Sequence, residues 1–249
     1  MRVSVWMVEH LDLQPGQRVL ELAAGPGDTG FLAAELVKPG GMLISSDASR
    51  AMLGVASGRA RDLGVTNVEF KQLELEWIDL PTASVDDVLC RWGLMFALDP
   101  AAALQECRRV LRPGGRIAVA VWDLPDRNPW ATVGTRVLVE LGHLEPPDPQ
   151  APGMFALADP ERLRDLLEAA GFVEVVVDGV ELMRGAPSLD AFMEEALDLN
   201  PQLADLRRRL SRSQWEEVEE RIGAATQPFA DTAGGLRFPG RSLVAAASA

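Results

Sequence analysis

Arg18-Val-Leu-Glu-Leu-Ala-Ala-Gly-Pro-Gly-Asp-Thr-Gly30 decides the fold. An apolar strand runs into a carboxylate, Glu21, and then into Gly25-Pro26-Gly27, which opens a helix. Glycines at such a turn let the backbone approach a nucleotide closely, where a side chain would collide with it. Asp47 follows Gly30 by seventeen residues, at the end of a second apolar run, Met42-Leu43-Ile44. A glycine turn under the cofactor and a carboxylate on the sugar hydroxyls is the geometry of a ribose clamp. The chain reads as an enzyme that uses a nucleotide cofactor.

From this stretch outward, strand-like and helical patterns alternate. Apolar runs lie near 18–23, 42–47, 68–73, 85–90, 115–122, 172–180 and 236–247. Helical patterns fall near 28–37, 49–63, 100–111, 128–141, 159–170, 188–198 and 202–224, and an amphipathic helix precedes the first strand. That alternation predicts an α/β fold, a parallel sheet covered by helices on both faces. Ligands on such sheets sit beyond the carboxyl ends of the strands. Glu21 to Gly27, Asp47, Glu74 and Arg91 all fall at or near those ends. Two regions break the rhythm: 123–158, with Pro125, Pro129, Pro146, Pro147, Pro149 and Pro152, and 181–234, with two helical patterns. Connections of that length tend to be functional or capping. The expectation is one domain, 1–249, with cap or substrate insertions near 123–158 and 181–234.

Composition narrows the partners. A net charge of −13 leaves no basic face for a nucleic acid. The densest basic cluster, Arg207-Arg208-Arg209 with Arg212, runs straight into Glu216, Glu217, Glu219 and Glu220, the pattern of a solvated helix face. No apolar run approaches the roughly 20 residues of a membrane span. The first residues carry no secretory pattern. Cys90 and Cys107 lack metal-ligand or redox spacing, so no metal is expected and a reducing, cytoplasmic setting is. Buried packing is the plain role for both.

Gly25-x-Gly27-x-x-Gly30 matches the dinucleotide pattern, yet Glu21 argues for a different cofactor. Beside a pyrophosphate its charge repels; beside a cationic cofactor it attracts. The chain also contains no tyrosine, which removes the tyrosine proton relay of many short dehydrogenases. In order, VLELAAGPGDTG, SSDASRAML, VEFKQLELEWIDL, SVDDVLCRWGLMF and RRVLRPGGRIAVAVW resemble the successive motifs of class I S-adenosylmethionine-dependent methyltransferases. The subgroup most similar is that of the ubiquinone and menaquinone methyltransferases. The resemblance covers residues 17–122 in order and continues more loosely through GMFALADPERLRDLLEAAGF and FPGRSLVAAAS.

The resemblance implies a Rossmann-like, seven-stranded, mostly parallel sheet with a reversed last strand. It implies that S-adenosylmethionine is the cofactor and S-adenosylhomocysteine the product. Glu21, Ala23, Gly25 and Gly27 would hold the methionine part, and Asp47 both ribose hydroxyls with Ala48 or Met52 packed nearby. Glu74 and Leu75 would meet the adenine, and Arg91 and Trp92 would border the methyl-transfer channel. Ala23 departs from the pattern, since many relatives carry the first glycine of the motif there. Relatives also often have a longer leading helix; with about sixteen residues before the first strand, a lid is expected to be partial or built by a neighbouring chain.

Structural roles compete with several of these assignments. Glu21 could satisfy backbone donors, Asp47 could cap a helix, and Arg91 could pair with a carboxylate under the sheet. Glu76 and Asp79 compete with Glu74. His143, in LGHLEPPDP, is the candidate general base, against a surface or cap-forming histidine; His10 is a second histidine near the cofactor mouth. Trp77, Trp92, Trp122 and Trp130 are candidates for a pocket wall, against packing. The expected acceptor is a small, partly apolar molecule, methylated at oxygen, nitrogen or carbon, and the expected assembly a homodimer. A nicotinamide-dependent oxidoreductase and a non-catalytic cofactor-binding protein remain the alternatives.

Overall fold

The computed structural model describes residues 1–148 and 151–249; Pro149, named above with the insertion prolines, lies outside the described residues. The strands are β1 (Arg18–Leu22), β2 (Met42–Asp47), β3 (Val68–Gln72), β4 (Val85–Arg91), β5 (Leu111–Trp122), β6 (Val173–Ala186) and β7 (Leu236–Ser248). They form one seven-stranded sheet in the order β3-β2-β1-β4-β5-β7-β6. β1 runs parallel to both β2 and β4, and β4 parallel to β5. β7 runs antiparallel to β5, from Arg116↔Ser248 to Trp122↔Ser242. The α/β, mostly parallel sheet with a reversed last strand is therefore observed.

The helices are α1 (Arg2–Leu11), α2 (Asp28–Leu36), α3 (Arg50–Leu63), α4 (Pro100–Val110), α5 (Pro129–Glu140), α6 (Pro160–Ala169), α7 (Leu189–Leu199), α8 (Pro201–Arg209) and α9 (Arg212–Thr226). The strands that lie centrally in the sheet carry apolar runs because both faces are covered. Val19, Leu20, Leu43, Ile44, Val88, Leu89 and Ile117 to Val121 are fully buried. α1 is joined to α2 by a buried contact between the Ser4 and Thr29 hydroxyls, 2.9 Å apart.

Two expectations are corrected. The pattern near 202–224 is not one helix: α8 ends before Leu210, and α9 begins at a capping box made by Ser211 and Gln214. β5 begins at Leu111, not at Gly115. Leu111 pairs with Val85, the register then shifts, and pairing resumes at Asp87↔Arg116, so the Pro-Gly-Gly turn is an irregularity within the strand.

The chain divides into two compact units. The first comprises Met1–Asp123, Gln150–Val180 and Ser242–Ala249; the second comprises Leu124–Pro149 and Glu181–Arg241. The second has its own apolar core, in which Val133, Val137, Phe192, Trp215, Val218, Ile222 and Phe238 are buried. It takes in parts of both regions where the sequence rhythm breaks together with Gly235 to Arg241, while residues 151–158 belong to the first unit, where the Gly153 N–H donates to the Met95 carbonyl at 3.0 Å.

Candidate cofactor site

Strand order reverses at β1 and β4, the switch point at which open parallel sheets bind ligands. The turn after β1 is strained there. Ala23, Gly25 and Gly27 have φ of 49°, 53° and 87°, and Trp92, just past β4, has φ of 60°. Only glycine adopts this region without cost; for other residues it costs about 1–2 kcal/mol.

The three glycines of the motif are required for three different reasons. A Cβ on Gly25 would meet no heavy atom within 4 Å, so this glycine faces open space. A Cβ on Gly27 would lie 2.5 Å from the Phe31 ring. A Cβ on Gly30 would lie 2.0 Å from Glu21 Oε2. Gly25 alone offers room for a ligand; the other two make room for the protein's own side chains.

Asp47 and Gly25 are directly coupled. The Gly25 N–H donates to Asp47 Oδ2 at 2.9 Å, and the Ser49 N–H donates to Oδ1 at 2.9 Å. The cap of α3 is Ser49, whose hydroxyl accepts from the Met52 N–H, so the capping role weighed for Asp47 belongs to its neighbour. Each carboxylate oxygen has a second lone pair. The half-buried Asp47 is thus pinned at the turn with accepting capacity left over.

Glu21 is 3 % exposed. The Gly30 N–H donates to its Oε1 at 2.7 Å and the Ser45 hydroxyl to its Oε2 at 3.4 Å. Burial pushes its carboxyl up to about 7, against the Gly30 hydrogen bond, the Arg91 charge and Ser45. The backbone-satisfying role weighed for Glu21 is therefore present: it holds the start of α2 from beneath.

Arg91 also pairs with a carboxylate, though at the turn. Its Nη2 lies 3.2 Å from Asp28 Oδ2, and its guanidinium carbon 4.5 Å from the centre of the Trp92 ring. Trp92 is fixed on its other side by stacking on Trp122, centroids 4.4 Å apart, and by donating from Nε1 to the Ser242 hydroxyl at 2.8 Å. Sequence reasoning did not single out Gly93, where a Cβ would lie 2.4 Å from the Ala23 Cβ. The turns after β1 and β4 touch through this pair.

On the loop after β3, Glu74 is exposed and Leu75 half-buried. Its competitor Glu76 is engaged: Oε1 accepts from the Leu98 N–H at 2.7 Å and the Asp99 N–H at 3.3 Å. Ala48 is exposed and Met52 is 40 % exposed beside Asp47, so both are free to face a ligand.

Other candidates disperse. Trp77 is 75 % exposed, and Trp130 belongs to the second unit, with the Arg184 guanidinium carbon 4.3 Å from its ring centre. His10 stacks on Trp6 and hydrogen-bonds its carbonyl through Nδ1 at 2.8 Å. His143, in the second unit, ends α5: its N–H donates to the Leu138 carbonyl at 2.8 Å after Gly142 at φ 74°. Burial raises both cysteine thiols, Cys90 to about 12, leaving them inert. Among the described residues no cluster of three metal-ligating side chains occurs. An open depression lined by Thr82, Gln105, Arg108, Leu111 and Pro113 lies at the opposite, amino-terminal ends of β4 and β5.

With this geometry in place, likeness to known proteins is informative. A methyltransferase domain family model matches residues 13–141. A ubiquinone/menaquinone biosynthesis C-methyltransferase of Cellvibrio japonicus is 30% identical over 67% of this chain and 71% of its own. Its counterpart in Shewanella oneidensis is 31% identical over 72% and 78%. Among solved structures, the YcgJ protein of Bacillus subtilis has a TM-score of 0.65 at 20% identity, over 99% of this chain and 97% of that one. A SAM-dependent methyltransferase of Aquifex aeolicus has a TM-score of 0.55 at 23% identity, over 70% and 81%.

Proposed function

Since this chain belongs to the methyltransferase domain family and to its S-adenosylmethionine-dependent members, we propose that it methylates a small, partly apolar molecule at oxygen, nitrogen or carbon. The curated relatives are named for C-methylation, which makes carbon one acceptor to test first. The observation that carries the reading is the Gly25–Asp47 pair. A glycine at φ 53° faces open space, and its N–H anchors a carboxylate that retains free lone pairs.

The residues fit the cofactor. Asp47 would accept the ribose hydroxyls, with Ala48 and Met52 beside it. Glu74 and Leu75 would meet the adenine. Ala23, Gly25 and Gly27 would line the methionine part, Glu21 supporting them from below, with Arg91 and Trp92 at the border. When bound, S-adenosylmethionine supplies a methyl group on a cationic sulfur. The chain's share of the chemistry is alignment of the two reactants and exclusion of water. No nucleophile–base–acid set is needed for that, and His143 is read as a helix-ending residue. The second unit, 124–149 with 181–241, is read as the acceptor cap within a single methyltransferase domain. A cytoplasmic location is part of the same reading, supported by two free, buried cysteines. So is assembly as two copies, which sedimentation tests.

Calorimetry tests the assignment. The native protein should bind S-adenosylhomocysteine and not NAD. Asp47→Ala removes two charge-assisted hydrogen bonds of about 1.5–3 kcal/mol each, so binding should weaken at least about tenfold. The substitution also frees the Gly25 and Ser49 N–H groups, so thermal unfolding without ligand must show the fold intact. Unchanged affinity would remove the clamp.

A further inference from the structure

The reading above leaves two charged side chains at the glycine turn without a role. Arg59, on α3, reaches the turn: its Nη1 donates to the Pro26 carbonyl at 2.6 Å and lies 2.9 Å from Asp28 Oδ1. Asp28 Oδ2 meets Arg91 Nη2 at 3.2 Å, and the Arg91 guanidinium lies against Trp92. Although partial burial opposes it, the hydrogen bond and charge of Arg59, then those of Arg91, hold the Asp28 carboxyl below its ordinary value. The carboxylate is thus ionised and bridges two cations at neutral pH.

This chain of contacts links the two sides of the site. α3 starts three residues past Asp47, and Arg91 ends β4 with Trp92 just after it. Between them the turn is gripped at Pro26 and Asp28, on either side of Gly27. The Arg59 and Asp28 side chains are 39% and 48% exposed. Ion pairs that exposed contribute little to global stability. What the bridge does is fix a turn whose φ values belong to the left-handed region, and a turn already in its binding conformation spares the cost of ordering it later.

We infer that Arg59 and Asp28 are positioning residues for the cofactor, which hold the glycine turn at a set spacing between Asp47 and the Arg91–Trp92 pair. The inference rests on the S-adenosylmethionine reading. Neither residue is placed in contact with the ligand.

Titration calorimetry with S-adenosylhomocysteine, paired with melting of the ligand-free protein, tests it. Arg59→Met keeps the length of the stem and removes both contacts; the dissociation constant should rise roughly tenfold. Its melting temperature should stay within about 3 °C, because ion pairs this exposed contribute little to global stability. Arg59→Lys, which can still donate to Pro26, should recover part of the affinity. Asp28→Asn should weaken binding as well. Combined with Arg59→Met it should add little, since the two act through one contact chain. The inference is overturned if Arg59→Met binds as the native chain does, if Arg59→Lys recovers nothing, or if the two losses add in full. It is also overturned if melting falls in step with affinity, the mark of a merely structural role. Should Arg59→Met not fold, Asp28→Asn and Arg59→Lys decide by the same criteria. A native protein that ignores S-adenosylhomocysteine overturns the cofactor reading itself, and the positioning role with it.

Discussion

Replacing Glu21 by Gln should make the protein more stable at neutral and alkaline pH, and by an amount that the burial of Glu21 sets. Its carboxyl is raised from 4.5 to about 7, chiefly by burial. Below 4.5 the group is protonated in folded and unfolded chains alike, and pH has no effect through it. Between 4.5 and about 7 the unfolded chain ionises while the folded chain keeps its proton. The folded state then binds more protons, and stability falls as pH rises. Above about 7 both states are ionised and the loss is constant. Each pH unit of difference is worth about 1.4 kcal/mol, so the full loss is about 3 kcal/mol. Gln preserves the volume and the oxygen that accepts from the Gly30 N–H, and its amide can donate to the Ser45 hydroxyl. Urea unfolding of both proteins at pH 4.5, 6, 7 and 8.5 gives the difference directly. It should be smallest at pH 4.5 and should grow by about 3 kcal/mol by pH 8.5, with the urea dependence unchanged. Asp87, also raised to about 7 by burial and the adjacent Asp86, shifts both profiles in the same sense and cancels in the difference. A difference that stays flat across that range, or narrows as pH rises, would refute the reasoning.

The glycines should separate by readout. Gly25→Val should abolish binding of S-adenosylhomocysteine, because its side chain enters the open space over the turn; both glycines have positive φ, so each substitution costs stability, and Gly27→Val, which also collides with Phe31, should lower the melting temperature further. Differential scanning calorimetry beside ligand titration distinguishes them, and a Gly25→Val protein that binds normally would make the turn purely structural. His143→Gln should lower turnover by less than about tenfold and leave the pH–rate profile unchanged if alignment carries the reaction. A loss of roughly 10²–10⁴-fold with a vanished ionisation would instead make it the general base. That assay begins with a screen of small phenols, quinols, carboxylates and amines as acceptors.

The strands were legible because a strand buried on both faces is largely apolar, and Val19-Leu20, Leu43-Ile44, Val88-Leu89-Cys90 and Ile117 to Val121 are such runs in β1, β2, β4 and β5. Their ends were legible too, since Asp47 and Arg91 interrupt those runs. What failed had a local cause. The break between α8 and α9 was written in Ser211-x-x-Gln214, a capping signal lost in a long run of charged helix formers. β5 was begun late because Pro113-Gly114-Gly115 reads as a turn, and only pairing with β4 shows that Leu111 already belongs to the sheet. Arg59 had no signal at all. A surface arginine on an amphipathic helix is unremarkable in one dimension, and its grip on Pro26 exists only once α3 lies beside the turn.

The glycine motif itself shows how a pattern can be read correctly for an incomplete reason. The Gly25-x-Gly27-x-x-Gly30 spacing matches a nucleotide-binding pattern, yet Phe31 and Glu21 account for two of its glycines. The charge of Glu21 pointed toward a cationic cofactor, yet the side chain lies under the turn, where burial favours its neutral form. Ala23 reverses the case. It stands where the family resemblance leads one to expect glycine, at φ 49°, a conformation that costs an alanine about 1–2 kcal/mol. Its methyl needs space, and Gly93 across the strand ends provides it, because any Cβ there would lie 2.4 Å from the Ala23 Cβ. The glycine missing from the turn after β1 is matched by a glycine in the turn after β4. That pairing keeps the two turns in contact at the switch point of the sheet. Trp92, immediately before Gly93, can then take its own left-handed conformation against Trp122. The departure from the expected pattern is therefore absorbed inside the protein, against Gly93.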